Sequence, residues 1–398
     1  MTRVKRRMLF GLVLVVLVVL GLGAWAYFYG TRITLERAEA FQFRRMVVAQ
    51  LEEQATYRFF YVSNRRLVPG DGSLEERFET EREPMLKFGS FDTEIEPTLG
   101  IGMIINPTEW FQNEEIKLRN VRPLDQTAFV EQVRRFVQGS PYRSLLVVIH
   151  GFREGFPSAL RKTAFLGHVL DINTPVLLFD WPGNQGSSLR GYRRARRVAK
   201  ASGAELARLL ELVIREIQPA RLWLIANSMG GQVVADAFSR LYRQADLADA
   251  QTEIENVVLT APDVDHEEFN NRFKQEINAL TGNLTVYVSS NDRALLMSRI
   301  INRRLRLGES TLRPENPAQA EAAAALAKLV DPDSERITLV DVTPVNRTRN
   351  FHNFSLETPE FFNDLYVRLT NKRMPTTREL YRLQAPGGAV YWVLTRGR

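Results

Sequence analysis

A chain of 398 residues that is 44% hydrophobic and 25% charged can bury a large core, and its glycine and proline contents are too ordinary for disorder to dominate it. It contains no cysteine, which excludes disulfides, thiolate metal sites, a cysteine nucleophile and a lipid-carrying cysteine. Four of its seven net positive charges are Arg3, Lys5, Arg6 and Arg7, leaving +3 for the rest, and with no aromatic–basic interleaving this argues against a nucleic-acid partner.

Behind that basic cluster, residues 8–29 form an apolar run without a single charge. About 20 such residues span a bilayer as a helix, because every backbone amide then bonds internally. Basic flanks stay on the cytoplasmic side, so residues 1–30 are predicted as a single-pass anchor in the inner (cytoplasmic) membrane, with the remainder outside, in the periplasm of a two-membrane bacterium. The rival reading is a cleaved signal peptide, for which Ala24-Trp25-Ala26 supplies small residues at a suitable spacing. Tyr27, Phe28 and Tyr29 suit an interfacial aromatic belt and favour the anchor. Residues 31–55 follow in a rough helical rhythm and are predicted as a stalk, and the body runs from 56 to 398.

Within the body, residues 56–62 are predicted as a strand, 64–95 as a loop rich in charge, glycine and proline, and 99–105 as a second strand. Apolar runs of strand length then recur at 145–149, 176–179, 222–226, 257–259, 284–288 and 337–340. Helical patterns at 156–170, 191–217, 230–243 and 356–370 separate them. Such alternation predicts an α/β fold, a mostly parallel sheet with helices on both faces. Sites in such sheets lie at the carboxyl ends of the strands, so chemistry is sought just after each apolar run. The alanine-rich stretch 316–330 is predicted as a helical insertion, around 303–334, that forms a cap or rim.

The most informative motif follows the run 222–226. Ala226-Asn227-Ser228-Met229-Gly230 places a serine on a tight strand-to-helix turn whose strain requires small residues at −2 and +2. Ser228 is the candidate nucleophile. Upstream, His150-Gly151-Phe152 closes another strand, and the backbone N–H groups of Phe152 and Met229 are the candidate oxyanion donors. His150 is read as orienting that loop, and Asp180-Trp181-Pro182-Gly183 as an architectural turn. The base must be a histidine late in the chain. His352, after the last strand and before a terminal helix, is preferred to His266, read as a surface residue, and to His168, which lies mid-helix before the serine. Asp292, after the run 284–288, is the candidate acid, and Asp263 is the alternative.

Taken together, these motifs resemble a bacterial α/β-hydrolase family of unknown function, esterase- or lipase-like. The matching stretches are Phe60-Tyr61-Val62-Ser63-Asn64-Arg65, Val148-Ile149-His150-Gly151-Phe152, Asp180-Trp181-Pro182, Ala226-Asn227-Ser228-Met229-Gly230, Ala261-Pro262-Asp263-Val264-Asp265 and Ser289-Ser290-Asn291-Asp292-Arg293-Ala294. The likeness spans roughly residues 56 to 370. Asn227 and Gly231 depart from the family's usual histidine and asparagine, and Phe351-His352-Asn353-Phe354 from its glycine-histidine-serine pattern. The resemblance implies an α/β-hydrolase fold and hydrolysis of an ester-like bond in a small or lipid-like substrate. The resulting mechanism is acyl transfer through Ser228, with no cofactor or metal required. The alternative is a non-catalytic docking module of the cell envelope built on the same fold. One feature lies outside both: the basic run 190–200, with Arg190, Arg193, Arg194, Arg196 and Arg197, is either a solvated helix face or a grip for anionic lipid headgroups.

Overall fold

The computed structural model describes residues 16–18, 56–95, 116–244, 254–309, 336–348, 352–370, 380–384 and 390–396. An eleven-stranded sheet forms its centre. The strands are β1 (Thr56–Leu67), β2 (Phe78–Ile95), β3 (Ile116–Leu124), β4 (Ser144–Ile149), β5 (Val176–Asp180), β6 (Arg221–Asn227), β7 (Ile254–Thr260), β8 (Thr281–Val288), β9 (Ile337–Asp341), β10 (Leu380–Gln384) and β11 (Val390–Leu394). Their spatial order is β10-β11-β9-β8-β7-β6-β4-β5-β1-β2-β3. Pairing is parallel from β1 through β11 and antiparallel in the flanking pairs β1–β2, β2–β3 and β10–β11.

The central strands are buried on both faces, which is why they read as continuous apolar runs. Alternation decides which face each residue serves. Leu145, Val147 and Ile149 of β4, with Leu222, Leu224 and Ala226 of β6, pack on one side. The helices α1 (Gln126–Gly139), α3 (Leu189–Leu212) and α4 (Gly230–Leu241) contribute to the same layer. Leu146, Val148, Trp223 and Ile225 face the other side, against α2 (Phe156–Leu170) and α7 (Pro359–Thr370). Shorter helices include α5 (Lys274–Leu280) and α6 (Arg293–Asn302). α3 and α4 approach closely at Gly203, where a Cβ would lie 2.6 Å from Asp236 Cβ. A side chain there would force the two helices apart.

The predicted loop at 64–95 is loop only at 68–77, apart from a 3-10 turn at Leu74–Glu76, and is otherwise the end of β1 and the long strand β2. Most of its charged residues stand on the exposed side of an antiparallel flank, Arg65 and Asp92 being buried exceptions, and only Phe88–Ile95 approaches the continuous burial of the central strands. Charge there marks a half-solvated strand rather than a break. β3, α1, β10 and β11 are further elements that the sequence reading did not place. The predicted strand at 99–105, the stalk at 31–55 and the insertion at 310–334 lie outside the described residues, as does the predicted anchor apart from 16–18, which are helical and exposed. Among the described residues no helix is long and apolar enough to cross a membrane.

Candidate active site

The carboxyl ends of β4, β6, β8 and β9 converge on one point. β6 enters a turn at Ser228, whose φ of +53° is the left-handed conformation that non-glycine residues rarely adopt. The strain is held by the backbone: Ser228 N–H donates to Thr260 O at 2.9 Å, and Ser228 O accepts from Gly231 N–H and Asp263 N–H at 3.0 Å each. At Gly230 a Cβ would sit 2.6 Å from His150 O, so only glycine lets the turn press against the end of β4. The small residue demanded at +2 is thus explained by the neighbouring loop.

His352 follows β9 and lies across the serine. Its Nε2 is 2.9 Å from Ser228 Oγ and its Nδ1 is 2.7 Å from Asp292 Oδ2. A nitrogen facing a carboxylate carries the proton, so Nδ1–H donates to Asp292 and Nε2 is left to accept from the serine hydroxyl. Asp292 is positioned by its second task. Its Oδ1 accepts from Leu295 N–H at 3.0 Å and caps α6, which fixes Oδ2 toward the histidine. Burial disfavours the imidazolium, but the charge and hydrogen bond of Asp292 outweigh it and raise His352 above the ordinary histidine value of 6.5.

The other candidates are placed differently. Asp263 is buried, and its carboxylate accepts from Tyr192 Oη at 2.7 Å, Ser298 Oγ at 2.6 Å and Arg306 Nε at 2.7 Å. Burial would raise its pKa, yet the Arg306 charge and these donors hold it below the usual carboxylate range. None of its bonds reaches His352. His266, expected at the surface, is only 4% exposed. Its N–H donates to Leu305 O, and a bridge between Asp265 and Arg306 lays the segment after α6 over it. Of the acidic residues around it, Asp265 caps a short helix and pairs with Arg304, and Glu268 pairs with Lys200. His168 lies in α2, edge-on to Tyr57, where burial pushes it down to about 4.

The loop after β4 is tightly organised. His150 stacks on Trp181, its Nδ1 lies 2.9 Å from Gly151 O, and its Nε2 lies 3.1 Å from both Asp180 Oδ1 and Trp181 N. Among the described residues, neither Phe152 N–H nor Met229 N–H has an acceptor. Behind this loop lies the fully buried Arg65, which the sequence reading quoted only as part of a motif. Its guanidinium donates to Asp180 at 2.8 Å, Asn184 Oδ1 at 2.6 Å, and the carbonyls of Glu154 and Trp181 at 2.8 Å each. A cavity of about 50 Å³ opens beside Ser228, between Gly151 and Asn227, with Leu166, Ile225, Leu356 and Phe361 in its walls. Lys162, ion-paired with Glu154, borders it.

Residues 125–368 match the model of a family described as "Alpha/beta hydrolase of unknown function (DUF900)". The chain belongs to this α/β-hydrolase family. No curated protein matches it. Among solved structures, the Pyrococcus furiosus esterase Pf2001 is 12% identical, with 56% of this chain and 80% of that one covered and a TM-score of 0.32. The Thermogutta terrifontis esterase Est2 with propionate bound is 13% identical, with 58% and 86% covered and a TM-score of 0.28.

Proposed function

We propose that this α/β hydrolase is a serine hydrolase that cleaves an ester-like bond through an acyl-enzyme. The observation that carries the reading is the continuous chain of hydrogen bonds from Ser228 Oγ through His352 to Asp292. In this mechanism Ser228 Oγ attacks the carbonyl carbon while His352 Nε2 takes its proton. The charge on Asp292 stabilises the imidazolium that forms. The N–H groups of Phe152 and Met229 receive the oxyanion, an effect worth about 3–4 kcal/mol per donor. His352 then returns its proton to the leaving group, and the same imidazole activates the water that releases the acyl group. The narrow apolar cavity beside Ser228 suits a short acyl chain. In the cell, residues 8–29 would hold the domain on the extracytoplasmic side of the inner membrane.

A fluorophosphonate probe tests the reading without knowledge of the substrate, because it reports an activated serine. The full chain is expected to label, and Ser228→Ala and His352→Ala to lose the label. A folded wild-type chain that stays unlabelled would overturn the proposal in favour of a docking module. The pH dependence supplies a separate check. His352 must be neutral to act as base, so kcat/KM should rise with pH through its pKa. Because Asp292 raises that pKa, the acid limb should lie above the ordinary value of 6.5. Asp292→Asn removes the raising charge and leaves burial, so its limb should move to lower pH. A limb that stays in place would exclude Asp292 as the partner of the base.

A further inference from the structure

α3 and α6 lie side by side at the rim of the site. Tyr192 in α3 is 2.7 Å from Ser298 Oγ in α6, Asn302 donates to Tyr192 Oη at 3.0 Å, and Arg196 reaches Asn302 at 2.5 Å. Tyr192 also packs edge-on against Phe152 of the oxyanion loop, with ring centroids 5.6 Å apart, while Asp292 caps α6. The pair therefore borders the candidate oxyanion loop and the candidate acid alike. Its inward residues Tyr192, Ala195, Leu295 and Ser298 are buried.

The outward face is unusual for a protein surface. Leu189, Leu296, Met297 and Ile300 are all exposed, Met297 to 54% and Ile300 to 60%. Beyond residue 55 they are four of the seven large hydrophobic side chains exposed among the described residues, three on α6 and Leu189 at the start of the adjoining α3, so they are not scattered. Positions 296, 297 and 300 share one face of a helix by spacing. Arg190, Arg193, Arg194 and Arg197 stand exposed beside them, and among the described residues none of the four forms an ion pair. No acidic residue occurs from 189 to 204. Elsewhere the surface arginines Arg66, Arg208 and Arg272 are matched with carboxylates. Around this apolar centre, by contrast, four arginines carry charge that no carboxylate answers among the described residues.

A second copy of the chain, joined through the same face, would set guanidinium against guanidinium. An anionic bilayer answers both features at once: headgroup phosphates take the arginines, and the acyl boundary takes Leu189, Leu296, Met297 and Ile300. We propose that this face docks on an anionic phospholipid surface and turns the mouth of the site toward the leaflet. The docking is independent of the serine-hydrolase reading. Its corollary, that the ester comes from the lipid surface itself, rests on that reading.

The absence of cysteine makes the test clean. Met297→Cys, Ile300→Cys and, as a remote control, Tyr381→Cys are made singly in the full chain and labelled with an environment-sensitive fluorophore. The labelled chains are placed on vesicles of phosphatidylcholine alone or with phosphatidylglycerol, each doped with a lipid-borne quencher. Quenching is expected at positions 297 and 300 only when phosphatidylglycerol is present. It should fall to the level of position 381 when Arg190, Arg193, Arg194 and Arg197 are all changed to Gln. It should persist with Ser228→Ala, which separates docking from catalysis. Failure to quench at 297 and 300 on anionic vesicles would overturn the proposal and leave the face to a second copy or an acidic protein. Quenching that ignores both phosphatidylglycerol and the Gln substitutions would overturn it equally.

Discussion

Turnover of any substrate this hydrolase accepts is expected to fall by roughly 10⁶-fold when Ser228 becomes alanine, and by about as much for His352→Ala. The reason for equality is geometric. The serine hydroxyl is an ordinary alcohol until Nε2, 2.9 Å away, can take its proton, and the imidazole hands on to the leaving group only the proton it took from that hydroxyl. Combining the two substitutions should therefore cost little more than either alone. Asp292→Asn should cost about 10⁴-fold, because an amide at Oδ2 can hold the ring in the wrong tautomer and cannot stabilise an imidazolium. Asp263→Asn serves as the contrast, since its bonds go to Tyr192, Ser298 and Arg306. Its main effect should be on folding, with a far smaller loss of kcat in the protein that folds. Steady-state kinetics with a chromogenic ester decides. Two additive losses at Ser228 and His352 would show that the pair does not work as one unit, and a 10⁴-fold kcat loss at Asp263 would make it the acid.

Arg65→Met is expected to be the most destabilising single change outside the site, costing about 3–5 kcal/mol by leaving one member of a buried ion pair without its partner. Both side chains are fully buried, and Asp180 otherwise has only Ser63 Oγ at 2.5 Å and the His150 contact. In the wild type, burial would raise Asp180, yet Arg65 holds it below the usual carboxylate range. That contribution is fully present above the unfolded carboxylate value and fades as pH falls through the folded one. In Arg65→Met the balance reverses: burial now dominates, Asp180 binds its proton more readily folded than unfolded, and acid relieves the variant. Denaturant melts across the acidic range should therefore show the gap between wild type and variant narrowing as pH falls. Adding Asp180→Asn should recover part of the loss at neutral pH. A constant gap with no recovery would mean that packing, not the charge, is what Arg65 supplies.

The sequence disclosed the centre of the sheet better than its flanks, for a physical reason. β4 to β9 are covered on both faces, so their residues are apolar without interruption and stand out as runs. β2 and β3 are wetted on one side, and Glu81, Glu83 and Arg119 are what such strands carry there. Read locally, they suggest a loop. The candidate site was legible as spacing: Ser228 on its turn, Asp292 and His352 each after a strand. What spacing could not supply is direction. Asp263 also follows a strand and sits against the Ser228 backbone, yet its side chain turns to Arg306. Acidic neighbours make His266 read as a surface residue, whereas Asp265 beside it serves a helix cap and pairs with Arg304. Arg65 passed as one letter of a motif, because nothing local marks an arginine as the tie between four chain segments.

The segment shared with the family begins at residue 125, but the structure does not divide there. β1 lies against β5, with Phe60 to Ser63 in register with Leu177 to Asp180. A fragment begun at residue 125 would leave β5 as an open border, with the alternate amides and carbonyls that face β1 unpaired while the others stay bonded to β4. Such a border is a template for pairing with another chain. The stretch matched by the family is thus smaller than the unit whose central parallel strands are all paired on both sides.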